Sequence, residues 1–207
     1  MTRQAQELVD RPGGFAITDR AMTLCAFPAG ARLLDVGCGT GATVRHLTRN
    51  YGLVVQGVDK EPTLGEGLTT ACGEDLPFPG GEMDGVLLEC SLSVMDDPDR
   101  VLQECRRVLK PGGRLVLSDV YARGEEAHLQ GCLGRVEQRA TILARVARHG
   151  FELQGFEDFS EHLHALWGQR VFEQGTAAFC AELGADQARL KAVACGYCLV
   201  IARRSGP

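Results

Sequence analysis

The 207-residue chain has no run of ~20 apolar residues, so no stretch of it reads as a membrane-spanning helix. Its opening, MTRQAQELVD, has no apolar segment of the kind that marks a secretory signal, and a cytoplasmic location is the expectation. Basic charge is in short supply. The 22 Lys and Arg fall below the 27 Asp and Glu, leaving −5 and no basic stripe to follow a nucleic-acid backbone. Aromatic residues make up only 6%, with a single tryptophan. There is no Ser/Gly/Pro-rich linker, no internal repeat and no low-complexity tract. A length of about one and a half ordinary domains then reads as a single domain, residues 1–207, with an embellishment. Glycine (26) and cysteine (9) are plentiful. Without a secretory signal, the cysteines read as reduced thiols.

The apolar periodicity alternates between two kinds. The first 30 residues are polar and broken by Pro12-Gly13-Gly14 and Pro28, with a short helical pattern from Thr18 to Phe27. Short β-branched or apolar runs follow at Arg32–Val36, Leu53–Val58, Leu68–Cys72, Asp84–Glu89, Arg114–Val120, Phe151–Phe156 and Tyr197–Ala202. Between them lie helical patterns at Thr40–Asn50, Pro98–Leu109 and Arg135–His149. Strand and helix in alternation predict a doubly wound, seven-stranded Rossmann-like α/β sheet with parallel strands. The stretch from Asp158 to Ala194, roughly 37 residues of helical character around Trp167, is too long for a strand-to-strand loop and reads as a helical cap inserted before the last strand.

The most informative stretch is Leu33-Leu34-Asp35-Val36-Gly37-Cys38-Gly39-Thr40-Gly41. Alternate glycines between a strand and a helix allow a tight turn and let a ligand approach the helix N-terminus. Asp59 ends the next strand, 18 residues beyond Gly41, which is the spacing at which a carboxylate accepts both hydroxyls of an adenosine ribose. A bland strand-to-helix turn would account for one of these features better than for both. A dinucleotide and S-adenosylmethionine each fit this logic. The spacing here is G-x-G-x-G rather than G-x-G-x-x-G, and Asp35 precedes it. A carboxylate there suits a sulfonium better than a pyrophosphate.

In these residues the chain resembles the class I S-adenosylmethionine-dependent methyltransferases, in particular the ubiquinone/menaquinone-type subgroup. The resemblance rests on LDVGCGTG, Asp59, the stretch Glu74-Asp75-Leu76-Pro77-Phe78-Pro79 and the turn Leu109-Lys110-Pro111-Gly112-Gly113. It runs from about Arg32 to Val120. It implies that Gly37, Cys38 and Gly39 pass the methionine part of the donor, that Asp59 holds the ribose and that Lys60 flanks the adenine. Members of this family commonly carry an Asp where this chain has Cys72, within Ala71-Cys72-Gly73-Glu74. The adenine contacts then fall to Cys72, Gly73 and Glu74. After the fourth strand, Glu89-Cys90-Ser91 sits where the family closes over the donor and begins its substrate site. With Asp35, Glu89 and Cys90 complete the expected donor site.

Methyl transfer is an in-line displacement at an activated carbon, so a protein chiefly aligns the partners and excludes water. A protic nucleophile can also call on a general base. The weak candidates are Tyr121 and His128 after the fifth strand, and Glu161, His162 and His164 at the start of the cap. His46 and His149 lie away from the strand ends and read as solvated. Cys25 and Cys105 read as core fillers, and Cys195 and Cys198 would point to opposite faces of a strand. No metal site is expected. The chain therefore reads as an enzyme transferring a methyl group to a small or medium organic acceptor, with neither nucleic acid nor membrane as partner. A non-catalytic S-adenosylmethionine-binding sensor or partner subunit is the alternative. Thiol-ligated arsenite methylation through Cys90 and Cys132 is a minor one. The acceptor, the base and the oligomeric state are not legible.

Overall fold

The computed structural model describes residues 10–61 and 65–206. The first nine residues of the expected N-terminal segment lie outside the described range. In chain order the elements are α1 (Ala16–Cys25), β1 (Arg32–Val36), α2 (Ala42–Tyr51), β2 (Val54–Asp59), β3 (Leu68–Thr70), β4 (Met83–Glu89), a 3-10 turn η1 (Leu92–Val94) and α3 (Pro98–Val108). They continue with β5 (Leu109–Ala122), the short pair β6 (Ala127–His128) and β7 (Arg135–Val136), α4 (Arg139–Arg148) and β8 (Phe151–Asp158). The helices α5 (Ser160–Gln174), α6 (Thr176–Glu182) and α7 (Gln187–Val193) then lead into β9 (Cys195–Arg204).

Seven strands form one sheet in the order β3-β2-β1-β4-β5-β9-β8. Successive residues of each central strand feed opposite faces. Leu33, Leu87 and Val116 pack under α1, α2 and the α5–α6 helices. Leu34, Val86, Leu88 and Leu115 pack under α3 and α4. Both faces are thus covered, which is why these strands read as near-continuous apolar runs. Helix α3 starts where local chemistry directs. Asp97 Oδ1 accepts from the Asp99 and Arg100 amides, and Pro98 occupies the first turn, where its missing N–H costs nothing.

Three features differ from the sequence expectations. The sheet is not wholly parallel, because β9 runs antiparallel to both β5 and β8. The α5–α7 helices leave β8 and rejoin the sheet at the same end, where Cys195 pairs with Ala122, so the returning strand must reverse. Residues 135–136 are not helical. They pair with β6, and α4 begins only at Arg139. The Lys110–Gly113 turn is absorbed into β5 as an irregularity, the register moving from Met83↔Leu109 to Gly85↔Arg114.

The strand order reverses between β1 and β4, and in such sheets ligands settle outside the carboxyl ends of the strands at that switch.

Candidate functional site

At this switch point β1 runs into a loop that only glycine could form. Gly37 sits at φ +82°, and a Cβ there would lie 2.5 Å from Ser91 Cβ. The close approach is pinned from the other side, because Ser91 Oγ donates to the Val36 carbonyl at 2.8 Å. The Asp59 carboxylate at the end of β2 spans the loop, accepting from the Gly39 amide at 2.8 Å and the Glu61 amide at 3.1 Å. Outside these groups opens a cleft of about 700 Å³, counting its mouth.

Among the expected donor-site residues, Gly37, Asp59, Lys60, Cys72, Gly73, Glu74 and Cys90 line this cleft together. Val58, Ala71, Ser91, Val94, Met95 and Asp96 complete the wall, and of these Val94, Met95 and Asp96 were missed by the sequence reading. Their only signal was adjacency to Cys90 beyond the fourth strand.

Four expected residues do not line the cleft. Cys38 is buried against Gly57, where a Cβ would sit 2.8 Å from its sulfur, and burial pushes its thiol up to about 12. Gly39 reaches the site only through its amide on Asp59. Asp35 lies behind the loop at 2% exposure. Burial first, and then the neighbouring Glu89 charge, lift its carboxyl to about 8, so it is protonated at neutral pH.

Glu89 is tied into a buried polar knot. It accepts from Thr18 Oγ1 at 2.8 Å and Thr43 Oγ1 at 2.9 Å, and it pairs with Arg11 at 2.8 Å. Arg11 in turn donates to both threonine hydroxyls, at 2.7 and 3.0 Å. The knot fastens the N-terminal segment, α1 and α2 beneath the loop. Nothing in the sequence pattern singled out Arg11.

A second cavity of about 520 Å³, counting its mouth, lies beneath the α5–α6 helices. Val120, Leu133, Leu163, Trp167, Phe179 and Leu183 make its apolar walls, with the Trp167 and Phe179 rings edge to face at 5.3 Å. Cys90 lines both cavities. Its sulfur lies 2.9 Å from the Tyr197 hydroxyl, and burial pushes the thiol up to about 12. Asp119 also faces this cavity. Burial raises it to about 6, although it accepts from the Ser93 amide, the Ser93 hydroxyl and the Val120 amide. Those donors occupy its oxygens and make it the anchor of η1.

The candidate bases are elsewhere; none of them lines either cavity. Tyr121 donates to Asp158 at 2.7 Å and packs edge-on against Phe156. His128 sits in the β6–β7 hairpin opposite Arg135. His162 is exposed with its ring against Phe159, Glu161 is exposed, and His164 Nε2 bonds the Cys195 carbonyl at 3.1 Å. His46 and His149 are not solvated. Each is held by a carboxylate, Asp19 at 2.6 Å and Asp99 at 2.8 Å, with 15% and 12% of the side chain exposed. Cys132 shares the second cavity with Cys90, and burial raises its thiol as well. Among the described residues, no group of three or more His, Cys, Asp or Glu is placed to hold a metal ion.

Residues 34–117 match the methyltransferase domain family. The chain is 32% identical to the methyltransferase GfsG of Streptomyces halstedii, over 54% of this chain and 45% of that one. It is 27% identical to the 27-O-demethylrifamycin SV methyltransferase of Amycolatopsis mediterranei (strain S699), over 91% of this chain and 82% of that one. Several curated relatives, GfsG among them, are spanned over less than half of their own length. Among solved structures, the [4+2]-cyclase SpnF superposes with a TM-score of 0.69 at 26% identity, over 97% of this chain and 86% of that one.

Proposed function

The chain belongs to the class I S-adenosylmethionine-dependent methyltransferases through its methyltransferase domain at residues 34–117, and from that premise we propose that it transfers a methyl group from S-adenosylmethionine to a small or medium organic acceptor. The observation that carries the reading is the meeting of two cavities at one residue. The polar cleft at the strand switch and the apolar cavity under the cap share Cys90. A donor in the first and an acceptor in the second would meet there, as an in-line displacement requires.

The cleft suits this donor. Asp59 offers a carboxylate where ribose hydroxyls would lie, and Gly37 leaves bare backbone beside the methionine portion. Cys72, Gly73 and Glu74 form the adenine end, flanked by Lys60. The bound donor supplies an activated methyl group and a positive charge. A positive charge in the cleft would favour the ionised form of Asp35 behind the loop, adding to the pull of Arg11 against burial and Glu89. The residues of the chain otherwise align and enclose. Ser91 braces the glycine loop, Asp119 fixes η1, and the α5 and α6 helices wall off the acceptor.

The chain acts in this reading as a single unit of residues 1–207, with residues 158–194 as a cap. Nine cysteines, none of them in a disulfide, support a cytoplasmic location. Among the described residues no helix is long and apolar enough to cross a membrane.

The fold alone does not set the reaction. The test is release of S-adenosylhomocysteine on incubation with S-adenosylmethionine and a panel of phenolic, enolic and amine acceptors. Acceptor-dependent release is expected. Tight donor binding with no release across the panel would favour the sensor or partner-subunit reading, and failure to bind S-adenosylhomocysteine would remove both.

A further inference from the structure

Resting on the reading of the capped cavity as the acceptor site, we propose that its acceptor is an uncharged, flat, largely apolar ring compound with a single hydrogen-bonding group directed at Cys90. The apolar part of the wall is aliphatic apart from the Trp167–Phe179 corner and Tyr197, a surface that favours a flat ring by stacking and by burial of apolar area.

Charge decides the class. Among the described residues, every ionic group on this wall already has a partner. Arg11 is held by Glu89 at 2.8 Å. Arg170 is held between Asp10 at 2.6 Å and Glu182 at 2.7 Å. Asp119 is filled by the Ser93 and Val120 donors. An acceptor carboxylate would be stripped of water and find no free cation. Beside the Asp10 and Glu182 already paired with Arg170, an ammonium would meet only Asp119, whose oxygens the Ser93 and Val120 donors already occupy, so burying either ion is costly.

At the donor end the polar groups are a thiol and a phenol 2.9 Å apart. Burial pushes both upward in pKa, so each stays neutral; the Tyr197 hydroxyl also donates to the Ser118 carbonyl at 3.2 Å, which leaves the Cys90 sulfur as the polar atom turned to the acceptor. Selectivity against anions would then reside in Asp10 and Glu182, which neutralise Arg170 at the cavity wall.

Calorimetric titration of the whole protein with 2-naphthol, 2-naphthoate and 2-naphthylmethylammonium tests this, with and without saturating S-adenosylhomocysteine. The neutral probe is expected to bind about tenfold or more tighter than either charged one. In Asp10→Asn/Glu182→Gln the Arg170 guanidinium loses both counter-ions, and naphthoate is expected to gain about tenfold on naphthol. Trp167→Ala should weaken naphthol binding while S-adenosylhomocysteine affinity holds, and Trp167→Phe should restore most of it. A charged probe that equals or exceeds naphthol on the wild type would overturn the proposal. So would an unchanged naphthoate-to-naphthol ratio in the double variant, or no saturable binding of any probe. Loss of S-adenosylhomocysteine binding instead would count against the methyl-donor reading, whatever the probes do.

Discussion

Glu89 is the residue whose removal should cost the fold most, and the cost can be worked from its partners. It is 3% exposed in its side chain and faces an Arg11 guanidinium that is 13% exposed. Two threonine hydroxyls link the ions, each donating to the carboxylate and accepting from the guanidinium. Breaking a buried pair by deleting one partner typically costs about 3–5 kcal/mol, because the other charge is left buried and uncompensated. Here a nearby group softens the loss. Burial first and then the Glu89 charge hold Asp35 in its protonated form, while Arg11 favours the ionised one. Without Glu89, one of the two causes that keep Asp35 protonated is gone, and Asp35 offsets part of the orphaned Arg11 charge. Glu89→Ala should therefore sit near the lower end, about 3 kcal/mol, or roughly 6–12 °C in Tm for a chain of this size. The assay is urea unfolding of Arg11→Ala, Glu89→Ala and the double variant. A coupling of about 1.5 kcal/mol or more is expected, since the second deletion removes an ion that the first had orphaned. A coupling under about 0.5 kcal/mol would refute the reasoning, because the ions would then be acting independently.

Asp59→Ala removes a charged acceptor and should weaken S-adenosylhomocysteine binding by about 1.5–3 kcal/mol, or 10- to 100-fold; unchanged calorimetric affinity would reject the ribose assignment. Asp35 carries a pH prediction. Its folded pKa, near 8, stands above the value of an unfolded Asp, so the native state holds the proton more tightly. Stability contributed through this group is full below about pH 4 and falls as pH rises toward 8. Asp35→Asn should accordingly gain stability over the wild type in thermal melts at pH 8 and little at pH 4, while an equal shift at both would refute the raised pKa. Arsenite should not support S-adenosylhomocysteine release. Burial pushes the Cys90 thiol up to about 12, which keeps it protonated at pH 7, and robust turnover lost in Cys90→Ala and Cys132→Ala would reverse this.

Some of this molecule is local chemistry and could be read without a structure. The turn at Gly37–Gly41 needs bare backbone, and its glycines stand adjacent in the chain. Asp97-Pro98 starts a helix through atoms two and three residues away. Apolar runs at Arg32–Val36 and Asp84–Glu89 mark strands buried on both faces, and a helical insertion was legible because its segment exceeds any simple connection. Other features depend on residues that meet only when the sheet is assembled. The direction of β9 follows from the end of the sheet at which the cap returns, which no period in β9 encodes. His46 and His149 lie on helices whose pattern says surface, and only packing brings Asp19 and Asp99 within reach of them. The same reason separates the two cavities. The polar cleft at the strand switch draws on residues that directly follow strand ends, so chain position groups most of its lining. The capped cavity and the Arg11–Glu89 knot join the N-terminal segment, the ends of β4 and β5 and the cap. Those partners are far apart in the chain, and their pairing is set by which side chains can satisfy one another's charge and apolar surface once the sheet has brought them together.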